Sequence, residues 1–368
     1  MLTMRGFTGM LAALAALLVL PPTAHAQPVN LPKGCADCHG AETKYPVRGV
    51  RSQYLTSGHR TLGDSSYANG EDCQKCHTHE GFVEYAKTGK VDVKKVVSNP
   101  SEIGCFTCHS PHETGNFSLR KTAKVSIANG AVFDKGKGNL CANCHQARSM
   151  PKDEVRARAI TFGPWGAHHG PQTDMLLGSN AYEFAGKKYS SSAHTALPNA
   201  DCVTCHMTQP RQRYALAPWI GGHSMKLEGE MHEEQKINPA GCLTSGCHSE
   251  MKQVPGKPLF DKKAAADYDG NGKVESVQQE VQGLLDRLKN KQGTGLFQTM
   301  KDPFYDAKGA FIVNKVVRPV EVVAALYDYK FVLEDGSKGV HNTKYAVQLL
   351  MDSIKALDKG YDDSKRPQ

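Results

Sequence analysis

The chain has 368 residues, with 45 Lys and Arg against 37 Asp and Glu, a formal net charge of +8 at pH 7. Hydrophobic residues make up only 39% of it, below the roughly 45–50% of an ordinary globular domain, so it is short of apolar side chains for a core of its own. The basic residues are scattered and form no patch, which excludes nucleic-acid binding as the reason for the excess, and past the N-terminus no stretch reaches the roughly 20 apolar residues of a membrane span.

The first element is Arg5, an apolar run from Met10 to Leu20 and the small-residue site Ala24-His25-Ala26. That is the pattern of a secretory signal, residues 1–26, cleaved before Gln27. With no cysteine at the cleavage site, a lipid anchor is not expected. The mature chain is expected to be periplasmic or secreted, touching the membrane only through membrane proteins.

From residue 27 to about 260 the chain is dominated by paired cysteines that end in histidine. Five are CxxCH: Cys35-Cys38-His39, Cys73-Cys76-His77, Cys105-Cys108-His109, Cys141-Cys144-His145 and Cys202-Cys205-His206. A sixth, Cys242-Cys247-His248, has four residues between its thiols, and together the six use all twelve cysteines. CxxCH is the attachment signature of c-type haem: two thiols meet the two vinyl groups and the next imidazole turns onto the iron. A zinc site needs four ligands from two such pairs and no histidine after every second cysteine. An isolated redox or disulfide CxxC does not explain six repeats. At Cys242 and Cys247 a disulfide is the alternative. The expected cofactor is six covalently bound haem c, with His39, His77, His109, His145, His206 and His248 as proximal ligands. Gly, Pro, Ser and Asn are frequent here, so the expected fold is mainly α with many loops, short helices wrapped around porphyrins. Ionised haem propionates balance the basic excess.

Each iron takes a second axial ligand. Outside the signal and the motifs nine histidines remain: His59, His79, His112, His168, His169, His194, His223, His232 and His341. Met150, Met207 and Met225 are the alternative ligands, and would raise a site's potential.

Residues 261–368 read as a C-terminal helical tail. Asp267-Tyr-Asp269-Gly-Asn271-Gly272-Lys273-Val-Glu275 is the front half of an EF-hand-like loop, with oxygen ligands at positions 1, 3 and 5 and glycine at 6. Calcium would bind through Asp267, Asp269, Asn271, the Lys273 carbonyl and Glu275, weakened by Gln278 at the position of the bidentate acid; a plain turn is the other reading. Val277, Val281, Leu284, Leu285 and Leu288 recur at helical spacing, as do Val320, Val323, Ala324, Tyr327 and Phe331. A third helix is predicted from Thr343 to Leu357, capped by Asn342 or Thr343. These helices either cover the core or form a homodimer contact.

The order of motifs and histidines resembles the ammonia-forming pentahaem nitrite reductases and their octahaem hydroxylamine-oxidoreductase relatives, with one extra N-terminal haem. The resemblance rests on His59, the motifs ending at His77, His109 and His145, the doublet His168-His169, His194, CVTCHM at 202–207, His223, the motif at His248 and GVHN at 339–342, and it spans most of the mature chain. It implies a crossed ligation scheme in which His59 faces the haem of His145, His223 that of His109, His341 that of His206, and His194 that of His248. His112 or His79 is left for the haem of His39. The haem of His77 takes the place of the family's catalytic haem, so His168 and His169 are the candidate catalytic residues; the alternative is that one of them, with His169 counted among the distal ligands, closes that iron. The family's proximal lysine is replaced by His77, and its tyrosine after the third core motif by Gln146, Ala147 and Arg148.

The expected function is electron transfer in anaerobic respiration, with a quinol dehydrogenase or other cytochromes as partners. The alternatives are a nitrite or hydroxylamine reductase at the haem of His77, with Arg148 or Arg60 supplying positive charge, and a subunit of a haem-stacked filament.

Overall fold

The computed structural model describes residues 47–62, 71–92, 100–110, 118–210, 217–231, 233–244, 246–248, 262–289 and 295–368. The signal segment 1–26, the first motif (Cys35, Cys38, His39), His112 and His232 lie outside the described residues.

Up to residue 248 the helices are short. They are α1 (Val47–Leu55), α2 (Gly58–Thr61), α3 (Glu71–His77), α4 (His79–Thr88), α5 (Cys105–Cys108), α6 (Asn139–Ala142), α7 (Pro151–Arg156), α8 (Gln172–Leu177), α9 (Ala193–Ala196) and α10 (Cys202–His206). Two antiparallel hairpins not expected from the sequence join them. In the first, β1 (Val125–Ser126) and β2 (Val132–Phe133) pair Val125 with Phe133. In the second, β3 (Glu228–Met231) and β4 (Glu234–Ile237) pair Glu228 with Ile237. Isolated helices this short are marginal in water, and local caps hold them: the Asp201 side chain accepts from Val203 N at 2.8 Å and Thr204 N at 3.2 Å at the start of α10.

The tail is built differently. α11 (Val277–Leu288) opens with a Ser276/Gln279 capping box and buries Val281, Leu284, Leu285 and Leu288. α12 (Val320–Asp335) and α13 (Thr343–Leu357) are buried on nearly all sides, α13 continuously from Tyr345 to Ile354, as expected of helices that fill a core. α12 packs along α13, α11 crosses α13, and α7 lies against α12. Trp165, Met175 and Ile160, from the motif-bearing half, join the same apolar cluster, and Arg48–Gln368 form one compact unit.

The turn between α12 and α13 carries function. Gly336 (φ 74°) and Gly339 (φ 86°) take left-handed conformations that glycine adopts without penalty, and a Cβ at Gly339 would stand 2.9 Å from Val281 Cγ2 of α11. The chain thus reverses tightly under α11 and delivers His341 just before α13. Asn342 caps α13, accepting from Tyr345 N at 3.4 Å, and also accepts from Ser192 N at 2.9 Å. Leu350 is fully buried in this cluster. Leu350→Ala is expected to lower stability by about 2–5 kcal/mol, read as a lower denaturant midpoint of the holoprotein, with the haem absorption at room temperature unchanged.

Candidate functional site

Each described CxxCH motif makes one tight turn. The N–H of His109 donates to Cys105 O at 3.0 Å, and that of His145 to Cys141 O at 2.9 Å; His77 and His206 end α3 and α10. The sixth motif reaches the same closure by another route. His248 N donates to Cys242 O at 3.0 Å across the longer spacing, and Gly246, at φ 79°, takes the turn that loops out the extra residues. Cys242 and Cys247 are both free thiols, not joined to each other.

Across from each described motif histidine stands a second imidazole. Ring centroids are 5.9 Å apart for His59 and His145, 6.2 Å for His109 and His223, 6.0 Å for His194 and His248, 6.2 Å for His206 and His341, and 6.4 Å for His77 and His168. With metal–nitrogen bonds of about 2 Å, two imidazoles on opposite sides of one metal put their centroids roughly 6 Å apart. The donor set and spacing fit a haem iron between each pair. The motif and partner meet from far apart in sequence, as in His206 of α10 and His341 of the α12–α13 turn.

The doublet splits. His168, at φ 65°, is the member that faces His77, and the left-handed backbone turns its neighbour outward. His169, expected among the distal ligands, is solvent-exposed, its Nδ1 2.7 Å from Glu334 Oε2, while the ring facing His77 is that of His168. His79 has its Nδ1 2.8 Å from Thr107 Oγ1.

Four of the facing rings have Nδ1 held by an acceptor, which fixes those rings and leaves Nε2 for metal. His194 Nδ1 lies 2.8 Å from Val340 O, His206 Nδ1 3.1 Å from Met225 O and His145 Nδ1 3.2 Å from Gln172 Oε1. His341 Nδ1 lies 2.6 Å from the carboxylate Oδ1 of Asp335. The buried Nδ1 of His168 has no partner among the described residues. Burial, helped by the proton-repelling His145, pushes His59 down to about 4, and burial with Arg148 and His169 nearby pushes His168 down to about 4. Both are therefore neutral imidazoles with a lone pair at neutral pH. Burial alone would lower His341 too, but Asp335 overrides it and raises that pKa.

The thiols connect the motifs. Cys144 Sγ lies 3.7 Å from Lys75 O, beside Cys76, Cys202 Sγ lies 3.9 Å from Gly138 O, three residues before Cys141, and a Cβ at Gly241, beside Cys242, would stand 3.0 Å from Cys205 Cα. Sulfurs bonded to haem would stand at porphyrin edges, so motifs that adjoin would bring haem edges together. The motifs of His77, His145, His206 and His248 adjoin in turn as a row.

In the tail loop, Asp267 Oδ1 accepts from Gly270 N at 2.8 Å and Asn271 N at 3.1 Å, while its Oδ2 meets Lys365 Nζ at 3.0 Å. Glu275 Oε2 accepts from Asn271 Nδ2 at 2.6 Å, and Lys273 N donates to Asn271 Oδ1 at 2.9 Å. Gln278 turns away to Ser337 O at 3.3 Å. The sequence reading missed Glu280, which is fully buried and has a carboxylate oxygen within 4.8 Å of oxygens of Asp267 and Asp269. It sits two residues past the loop position where an acid is expected, which hid it.

No protein-family model matches the chain. The chain is 31% identical over 159 residues to the C-type polyheme cytochrome OmcB of Geobacter sulfurreducens, covering 36% of this chain and 20% of that protein. It is 24% identical over 192 residues to OmcC, also a C-type polyheme cytochrome of that organism, covering 39% and 25%. Among solved structures it is similar to the outer cell wall cytochrome OcwA (TM-score 0.44, 22% identity, 86% of this chain and 50% of that one). It is likewise similar to an undecaheme cytochrome from the S-layer of Carboxydothermus ferrireducens (TM-score 0.43, 18% identity, 87% and 41%). The chain thus spans a quarter or less of the curated relatives it matches. Its similarity is to multihaem c-type cytochromes, and its motifs are those that bind haem c covalently.

The facing rings predict which of the doublet matters. His168→Ala in the holoprotein is expected to produce one high-spin ferric haem by electron paramagnetic resonance, whereas His169→Ala leaves every haem low-spin; the reverse pattern would return the role to His169.

Proposed function

We propose that the chain is a hexahaem c-type cytochrome that carries electrons and transforms no substrate. The observation that supports this most is the pairing of His77 with His168 at 6.4 Å, which leaves room for an iron and for no further ligand at the one position where the resemblance to nitrite reductases would put a reactive site. The same layout serves here without the family's lysine and tyrosine.

Haem, when bound, supplies reversible one-electron chemistry. The protein's residues hold the rest in place. Paired imidazoles grip each iron from both sides, so ligands need not exchange during transfer, and the contiguous thiols of the motifs set edges close together. We place Cys35, Cys38, His39 and His112 at a sixth, N-terminal haem. Among the described residues no helix is long and apolar enough to cross a membrane. A cleaved signal at residues 1–26 would bring the chain to the periplasm or beyond, where a quinol dehydrogenase or other cytochromes would exchange electrons with it.

Calcium belongs to the same proposal, held by Asp267, Asp269, Asn271, the Lys273 carbonyl and Glu275, with Glu280 supplying the acid that Gln278 lacks. It would displace Lys365 from Asp267, so affinity is modest. Titration calorimetry on chelator-treated holoprotein is expected to show one site that Glu280→Gln abolishes; no heat and no change in melting temperature would leave the loop a turn.

Mass spectrometry of the denatured protein tests the haem count, with six haem additions expected on a chain starting at Gln27. Five, with Cys242 and Cys247 joined, would remove the sixth motif. In the same preparation nitrite and hydroxylamine are expected to leave the ferric spectrum unchanged and to be turned over by no dye-driven reaction. Ammonia formation lost on replacing His77 would make the chain a reductase.

A further inference from the structure

The axial histidines differ in what their outer nitrogens meet. Val340 O, Met225 O and Gln172 Oε1 are neutral acceptors for His194, His206 and His145, and His168 Nδ1 meets none among the described residues. His341 meets a charge. Asp335, the last residue of α12, is fully buried and places Oδ1 2.6 Å from His341 Nδ1. Its other oxygen accepts from Ser337 N at 3.2 Å and from the Ser337 hydroxyl. That hydroxyl in turn accepts from His341 N at 3.1 Å. The tight turn after α12 closes this ring of bonds, so neither the imidazole nor the carboxylate can rotate away.

We infer that Asp335 makes the haem shared by His206 and His341 the lowest-potential site of the row. This rests on the reading that those two histidines hold one iron. A carboxylate that accepts the Nδ1 proton strengthens the imidazole as a donor to metal. Its negative charge, buried where screening is weak, also favours ferric over ferrous iron. The neutral carbonyl on His206 adds donation from the opposite side. Position gives the difference a consequence. Cys202 Sγ lies 3.9 Å from Gly138 O, three residues before Cys141, and a Cβ at Gly241, beside Cys242, would stand 3.0 Å from Cys205 Cα, so the low site lies inside the row and not at its end. Electrons entering a partly reduced chain fill the haems on both sides first and must pass an uphill step between them. Asp335 is a positioning residue: it touches the ligand, never the iron.

The test is a spectroelectrochemical titration of the holoprotein. Asp335→Asn is expected to raise the reduction equilibrium constant of the lowest-potential component about tenfold, about 59 mV for one electron, with all haems low-spin and the other components in place. Asp335→Glu, which keeps the charge, is expected to restore most of the shift. Ser337→Ala removes a donor that shares the carboxylate's charge and is expected to move the same component lower; it carries the test if Asp335→Asn does not fold. An unmoved lowest component, equal movement of all components, or an upward shift in Ser337→Ala overturns the inference. His341→Ala separates it from its premise. One high-spin haem, whose potential no longer responds to Asp335→Asn, is expected; an all-low-spin spectrum removes His341 from the iron and the inference with it.

Discussion

The motif-bearing half answers one demand, since an iron in a porphyrin is closed by two axial nitrogens, and this chain brings imidazoles face to face from distant parts of its sequence. His59 meets His145, His109 meets His223, His194 meets His248 and His206 meets His341. Each pair, once it shares a metal, is a cross-link whose strength does not depend on apolar area. That answers the composition. In a chain with 39% hydrophobic residues and, among the described residues, helices of four to ten residues before position 248, the motif-bearing half has few apolar faces of its own, and haem faces would supply the surface to pack against. In the tail α11, α12 and α13 assemble the larger apolar core, joined by Trp165, Met175 and Ile160 from the motif-bearing half, and the turn between the last two ends in His341, whose ring faces His206.

The electrostatics serve the same end. Burial and like neighbours keep His59 and His168 neutral, which is the form that donates to metal, and backbone carbonyls orient His194 and His206 without adding charge. Asp335 is the departure, a buried carboxylate on a ligand. A protein that only needed to hold its haems could have used another carbonyl there. The difference among these partners is the means by which one repeated motif can yield sites of unlike potential.

Much of this was legible in the sequence, for reasons that can be named. CxxCH is read directly because the chemistry dictates the spacing, and the tail helices Val277–Leu288, Val320–Asp335 and Thr343–Leu357 announced themselves by apolar periodicity and by Ser276 and Asn342 as caps. The order of histidines, read through the family resemblance, implies the same pairs of rings that face one another. Other features had no local signal. Which of His168 and His169 turns inward is decided by a left-handed backbone angle. Glu280 reaches the tail loop from the first turn of α11, out of register with the loop pattern. Asp335 owes its role to a turn of two left-handed glycines that only the folded chain brings against His341. The hairpins β1–β2 and β3–β4 are too short to leave a pattern of alternation.

The central claim is that paired histidines close every iron. Near-infrared magnetic circular dichroism of the fully oxidised holoprotein tests it most directly, because the charge-transfer band of low-spin ferric haem reports the identity of both axial ligands. The account predicts a single bis-histidine band whose intensity accounts for all the haem present. A high-spin band, or a histidine–methionine band, would show an iron that the histidine pairs do not close and would contradict it.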